Sequence, residues 1–471
     1  MSTVSQDIAK FVADVTYKDL PPDAIAEAKR FLYDSLGCAF GGFLTQDVKI
    51  ARDVFLGMAG VEEATVIGSG RRCPAPNAAF LNSMMIRALD YNDIYWKQDP
   101  SHPSDLIPAA LALGERRRAS GKDVILAIVL GYEFEMRLCE IADPGIRERK
   151  WHHATLTQFA SAIVAAKILG LTPNQIVNAL GISGAHNHTI GAVTAGKLTM
   201  MKNAADPFAV QSGVIAALLA EKGFEGPEHI FDGKEGLVDA FGGKWNLDIL
   251  TENLGKTFRI KQCSMKAYPV EALAHSTLSA TIKIATDLDL WPEEIQKIEV
   301  ETISRAVDIL ADPAKYKPST RETADHSLPF CIASAILDKN LTPASFAEDR
   351  LKSERLLKLI DKITIASNPE FDKLFPEMQP SKVVISTMDG RTATHREDYP
   401  KGDPWSPMTQ EELDTKFKSL ASPVVTQELQ AQIRREVFEI DKLTNIADLM
   451  ALCVSDITPK KKVSTTARSI R

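Results

Sequence analysis

The chain has 471 residues, of which 45% are hydrophobic and 25% charged, with a formal net charge of -7. This length exceeds one ordinary core and implies two domains of a globular protein. The acidic balance argues against a nucleic-acid binder, and no run is apolar for long enough to span a membrane.

From the N-terminus to about residue 260 the pattern reads as helical. Residues 23–36 follow a Pro-Pro start and carry three- and four-residue apolar spacing. Residues 77–89 form a second helix and lead into the acidic stretch from Asp90 to Asp105. A third helix begins there, with Ser104 or Asp105 as its cap. Residues 155–169 are apolar on most faces and predict a buried helix. Thr172 and Gln175 form a capping box with Pro173 at the first helical position, and residues 206–222 make a further helix. Past Cys263 the period changes. Residues 295–303 and 362–367 read as strands, and 383–387 and 392–395 form a hairpin around Asp389-Gly390. Helices are expected over 327–337 and 344–359, and again over 411–420 and 426–440. The fold class is mostly α with an inserted α+β domain. A large all-helical domain comes from residues 1–265 and 405–471, and a smaller α+β lid from 266–404. The six cysteines include no CxxC pair, and the N-terminus lacks a secretory pattern. A cytoplasmic location with reduced thiols follows.

The stretch Asp90–Asp105 packs carboxylates, His102 and three aromatics between apolar helices, as expected of a pocket where protonation matters. His102 is restricted to extended backbone by Pro103. His152 and His153 open the buried helix. His186 and His188 show no zinc spacing, so no metal is expected. Lys197, Lys202 and Lys266 are cations placed near a helix start or the domain junction, where they can balance carboxylates. Asp325 either orients His326 or caps a helix. Nicotinamide, nucleotide and serine-hydrolase motifs are missing. Proton chemistry on a multi-anionic acid, without a cofactor, is what remains.

Asp90-Tyr91-Asn92-Asp93 followed by His102-Pro103-Ser104-Asp105 resembles the signature of the MmgE/PrpD family. The resemblance continues through Trp151-His152-His153, Gly196-Lys197, Lys266-Ala267-Tyr268-Pro269 with His275-Ser276, and Asp325-His326-Ser327. It implies a homodimer with its site between the domains. It also implies a lyase acting on a small di- or tricarboxylate, foremost a 2-methylcitrate dehydratase. The alternatives are cis-aconitate decarboxylation, iminodisuccinate epimerisation, or a non-catalytic acid-binding dimer. By resemblance Asp90, His102 and one or both of His152 and His153 are catalytic. Lys197, Lys266, Tyr268, His275 and His326 bind substrate. Phe330 stands where the family often has Tyr, and Ile94 where the decarboxylases tend to have Thr.

Overall fold

The computed structural model describes residues 2–195 and 198–456. Lys197 therefore lies outside the described residues. Helices dominate the first half, and their starts are written locally. Thr3 and Gln6 cap the helix Val4–Asp14, Ser120 and Asp123 cap Gly121–Leu138, and Thr172 and Gln175 cap Pro173–Gly184, each as a reciprocal box. The helices Ala154–Leu169 and Ala205–Glu221 pack so closely that a Cβ on Gly213 would stand 2.5 Å from that of Ser161. Only glycine permits that approach.

Two of the expected helices need correction, and one helix was not singled out. Residues 223–260 are not a regular helix; beyond Leu237–Phe241 they run in turns and short 3-10 segments, in keeping with their many glycines. Residues 344–359 form three short pieces, because Ser353 caps a new helix at Glu354 instead of continuing the old one. The long helix Gly121–Leu138 had no clear signal, since it is buried from Val124 to Leu138 on every face and so shows no amphipathic period.

One apolar cluster takes residues from Ile8 to Met265 and again from Met408 to Cys453. The helices Gln410–Ala421 and Gln427–Phe438 return to Pro22–Gly42, where Phe417 stacks on Tyr33 at 4.2 Å. A second cluster is built from residues between Val270 and Ile385, joined by Ile94 and Trp96. It covers a four-stranded sheet in the order Thr392–Glu397, Ser381–Thr387, Ile295–Thr302, Ile363–Ser367. The first two contacts are antiparallel and the last parallel, with Val383 opposite Val300 and Ile298 opposite Ile363. The helices His275–Asp287 and Leu328–Asp338 pack together, the former directly against the antiparallel hairpin.

The acidic stretch belongs to both clusters. Its strand Asp93–Trp96 pairs with Pro100–Ser101 on one side and Ser264–Met265 on the other. Apart from Lys97 and Gln98 it is buried, carboxylates included. Neither Ser104 nor Asp105 caps the next helix. Asp93 reaches across the hairpin and accepts hydrogen bonds from Ser104 N at 2.9 Å and Ser104 Oγ at 2.6 Å. Asp99 accepts from the backbone of Ile146 and Arg147 at 2.8 and 3.0 Å. These bonds offset the desolvation that unpaired buried carboxylates would suffer.

Candidate active site

The ends of several elements converge on one cavity of about 60 Å³. Arg87 closes the helix Ala75–Arg87, and Asp90 follows it in left-handed backbone with φ 49°. His102 sits between a strand and a 3-10 turn, and His152 and His153 precede the helix Ala154–Leu169. Lys202 lies on the turn before Ala205–Glu221, and Lys266 follows the strand Ser264–Met265. His326 stands between the helices Arg321–Ala324 and Leu328–Asp338. All of these side chains line the cavity, together with Arg147 and Glu271.

Asp90 is the electrostatic centre. Arg87 pairs with it directly, Lys266 Nζ stands 2.9 Å from Oδ1, and Lys202 Nζ 3.4 Å from Oδ2. Burial alone would raise the Asp90 carboxyl, but Lys202, Lys266 and Arg87 override it and hold it well below the usual carboxylate range. Lys266 donates to Asp90 Oδ1 at 2.9 Å, Asp90 O at 3.1 Å and Val270 O at 3.0 Å. An ammonium has three protons, so Lys266 is saturated by the protein itself. Below this layer Lys416 Nζ meets Asp34 at 2.7 Å and donates to Tyr91 O at 2.7 Å and Lys266 O at 2.9 Å. A buried lysine from the C-terminal helices thus fixes the backbone on both sides of the Asp90–Lys266 pair.

The histidines differ in tautomer. His102 Nδ1 lies 2.6 Å from Asp93 O, a carbonyl that can only accept. Nδ1 therefore carries the proton and Nε2 keeps its lone pair. Burial, followed by Arg87 and Lys266, holds His102 well below the usual histidine range, so it is neutral. His152 is the reverse: its Nδ1 accepts from Ala154 N at 3.2 Å, leaving the hydrogen on Nε2. Burial and then His153 keep it neutral as well. His153 stands between them, with ring centres 5.6 Å from His102 and 3.9 Å from His152, and its Nε2 is 3.2 Å from Asp206 Oδ1. Burial would raise Asp206, yet His153, then His152 and Arg87, lower it strongly. Asp325 orients His326 through Nδ1 at 2.5 Å, and burial together with Lys202 brings that imidazole down to about 4.

Not every residue marked for substrate binding reaches the cavity. Tyr268 and His275 are outside its lining and pack on each other, ring centres 5.5 Å apart, behind Lys266. Phe330 is fully buried in the second cluster beside Phe346, so position 330 is a core position in this chain. His186 donates from Nδ1 to Ile182 O and approaches Ser212, and His188 rests on Trp151. In their place the cavity takes Arg87, Arg147, Lys202 and Glu271, and Asp206 joins the site through its pair with His153. Arg87 and Asp206 each looked like an ordinary charge at a helix end.

His152, His153 and Asp206 also bring one ligand atom each to within 4.8 Å of one another. Two imidazole nitrogens and a carboxylate suit a first-row divalent ion. However, Asp206 Oδ2 faces Arg87 Nε at 3.8 Å, and His152 Nδ1 is already engaged by Ala154. A dication would have to displace a buried guanidinium from its counter-ion, so the trio fits a metal poorly.

The cavity is thus a closed, cation-rich pocket with neutral imidazoles of opposite tautomer. The MmgE/PrpD N-terminal domain matches residues 6–250 and the MmgE/PrpD C-terminal domain residues 268–441. The chain belongs to the MmgE/PrpD family. It is 25% identical to a cis-aconitate decarboxylase of Aspergillus terreus over 476 residues, 96% of each chain. It is 24% identical to the cis-aconitate decarboxylase of Homo sapiens, over 98% of this chain and 96% of that one. A 2-methylcitrate dehydratase of Cupriavidus necator is 26% identical over 73% of each chain. These relatives are lyases by name. No helix among the described residues is long and apolar enough to cross a membrane.

Proposed function

We propose that the protein is a lyase of small polycarboxylates, and specifically a dehydratase of the 2-methylcitrate type. The observation that carries this reading is the complementary pair His102 and His152. Elimination of water needs a base for the carbon-bound proton and an acid for the departing hydroxyl. His102 Nε2 offers a lone pair and His152 Nε2 a hydrogen. In the proposed step His102 takes the proton beside a carboxylate, the C–O bond breaks, and the C=C bond forms. The hydroxyl leaves as water with the proton of His152. Lys202 balances the enolate-like charge. Asp90, held by Arg87 and Lys266, is a positioning group, since a carboxylate so strongly ionised is a poor proton carrier.

Decarboxylation of a cis-aconitate-type acid is the second reading. What favours it is that the decarboxylases align over nearly the whole chain and the dehydratases over less. We further propose a cytoplasmic homodimer, with the helical unit 1–265 and 405–471 and the lid 266–404 closing on the substrate.

The test is product identification by NMR on a panel of di- and tricarboxylates. An unsaturated product plus water is expected. Carbon dioxide release would replace dehydration by decarboxylation, and deuterium exchange without net conversion would replace it by epimerisation. Binding without turnover on every acid would sink the enzyme reading.

A further inference from the structure

The catalytic cavity is too small for the substrate proposed for it. About 60 Å³ holds only a handful of waters, at roughly 10–15 Å³ each on this measure. A polycarboxylate seated there must extend beyond it. Beside the cavity opens a basin of about 740 Å³. Arg147, Thr194, Ile309 and His326 line both, so the two spaces adjoin.

The basin holds an unusual cation. Lys315 is only 7% exposed, yet no acceptor or carboxylate among the described residues engages its ammonium. A lysine more than nine-tenths buried normally has a counter-charge. Arg147 forms no ion pair among the described residues either: its guanidinium lies 5.8 Å over the Trp96 ring, and Glu271 and Asp99 feel its charge only from a distance. The acids nearby do not neutralise them. Asp312, which accepts from Ala314 N at 2.8 Å, and the exposed Asp308 both line the basin, but neither forms an ion pair with Lys315 or Arg147 among the described residues. Inside the cavity the donors are largely consumed, with Lys266 saturated and Lys202 facing Asp90. A second or third carboxylate has to find its cations elsewhere.

We propose that Lys315 and Arg147 form a subsite for the outer carboxylate of the substrate, selecting acids long enough to reach from the His102–His152 pair into the basin. The guanidinium fork suits bidentate carboxylate contact, and Lys315 supplies a point charge behind it. This inference rests on the polycarboxylate reading of the same site but not on the bond that is broken.

Calorimetry with propane-1,2,3-tricarboxylate tests it without any turnover. Lys315→Met and Arg147→Gln, each checked for an unchanged melting curve, are expected to weaken binding at least tenfold. The shorter diacid succinate should change less than twofold. Arg147 is partly exposed, so its variant keeps the test decisive where Lys315→Met does not fold. Tricarboxylate binding within twofold of wild type in the folded variants would overturn the subsite, as would a wild-type protein that does not bind the triacid. Inorganic phosphate is the second probe. If it binds as tightly and is lost in the same variants, the basin is a general anion site and the assignment to an outer carboxylate is overturned. A protein that binds the triacid through these residues and converts no acid would leave the subsite standing and remove the lyase reading.

Discussion

The floor of the cavity and its mouth handle charge in opposite ways. On the floor Arg87, Asp90, Lys202, Lys266, His153 and Asp206 answer one another at 2.9–3.8 Å or closer. At the mouth Arg147 and Lys315 line an open basin and, among the described residues, form no ion pair, although Asp308 and Asp312 share that lining. A paired charge fixes geometry and protonation, because its field is already spent on a neighbour. An unpaired one is available to a ligand. The contrast suggests a rigid floor for proton transfer and an attractive mouth for recognition.

The largest effect expected from breaking this contrast is at His102. His102→Ala should lower kcat by about 10²–10⁴-fold while triacid affinity by calorimetry stays within about threefold. A variant that loses affinity and keeps kcat would move His102 from the floor's role to the mouth's. Next is the support beneath the floor. Lys416→Met leaves Asp34 buried without its partner and should cost about 3–5 kcal/mol in urea unfolding at pH 7. Adding Asp34→Asn should recover much of it. A single variant as stable as wild type would mean that the floor does not depend on that pair.

A smaller effect sharpens the boundary behind the floor, at His275. Burial, then Lys266, brings His275 down from 6.5 to about 3. Between these values the unfolded chain takes up the proton and the folded one does not, so stability is full above pH 6.5 and is lost as pH falls toward 3. His275→Gln should flatten that part of the melting temperature's fall with pH. Parallel curves for wild type and variant would show that His275 is not held neutral.

His102, His152, His153, His326, Asp90 and Lys266 were legible as chemistry because polar residues interrupted apolar helices at fixed, recognisable spacings. They reach one cavity although His326 lies 236 positions after Asp90 in the chain. Arg87 and Asp206 were not legible as members of the site. Each is a single charge at a helix end, and a helix end usually keeps its charges in solvent. Lys202 stood in the same short segment as Lys197, and spacing alone does not say that Lys202 turns inward. Tyr268 and His275 share the motif of Lys266 but point behind it, a difference set by the turn between strand and helix. The strands after residue 295 were clear from their two-residue period. The helix Gly121–Leu138 was hidden because complete burial erases the pattern by which helices are recognised.

Lys416 has one more consequence. It holds Tyr91 O and Lys266 O from a helix near the far end of the chain. On the ribosome, Asp90, His102 and Lys266 have all emerged long before residue 416 is made, yet the wall they form lacks its clamp until then. Domains generally fold as their sequence becomes available. The candidate site is therefore among the last features a nascent chain can finish, and a chain released before that helix is complete would carry the motifs without the assembled pocket.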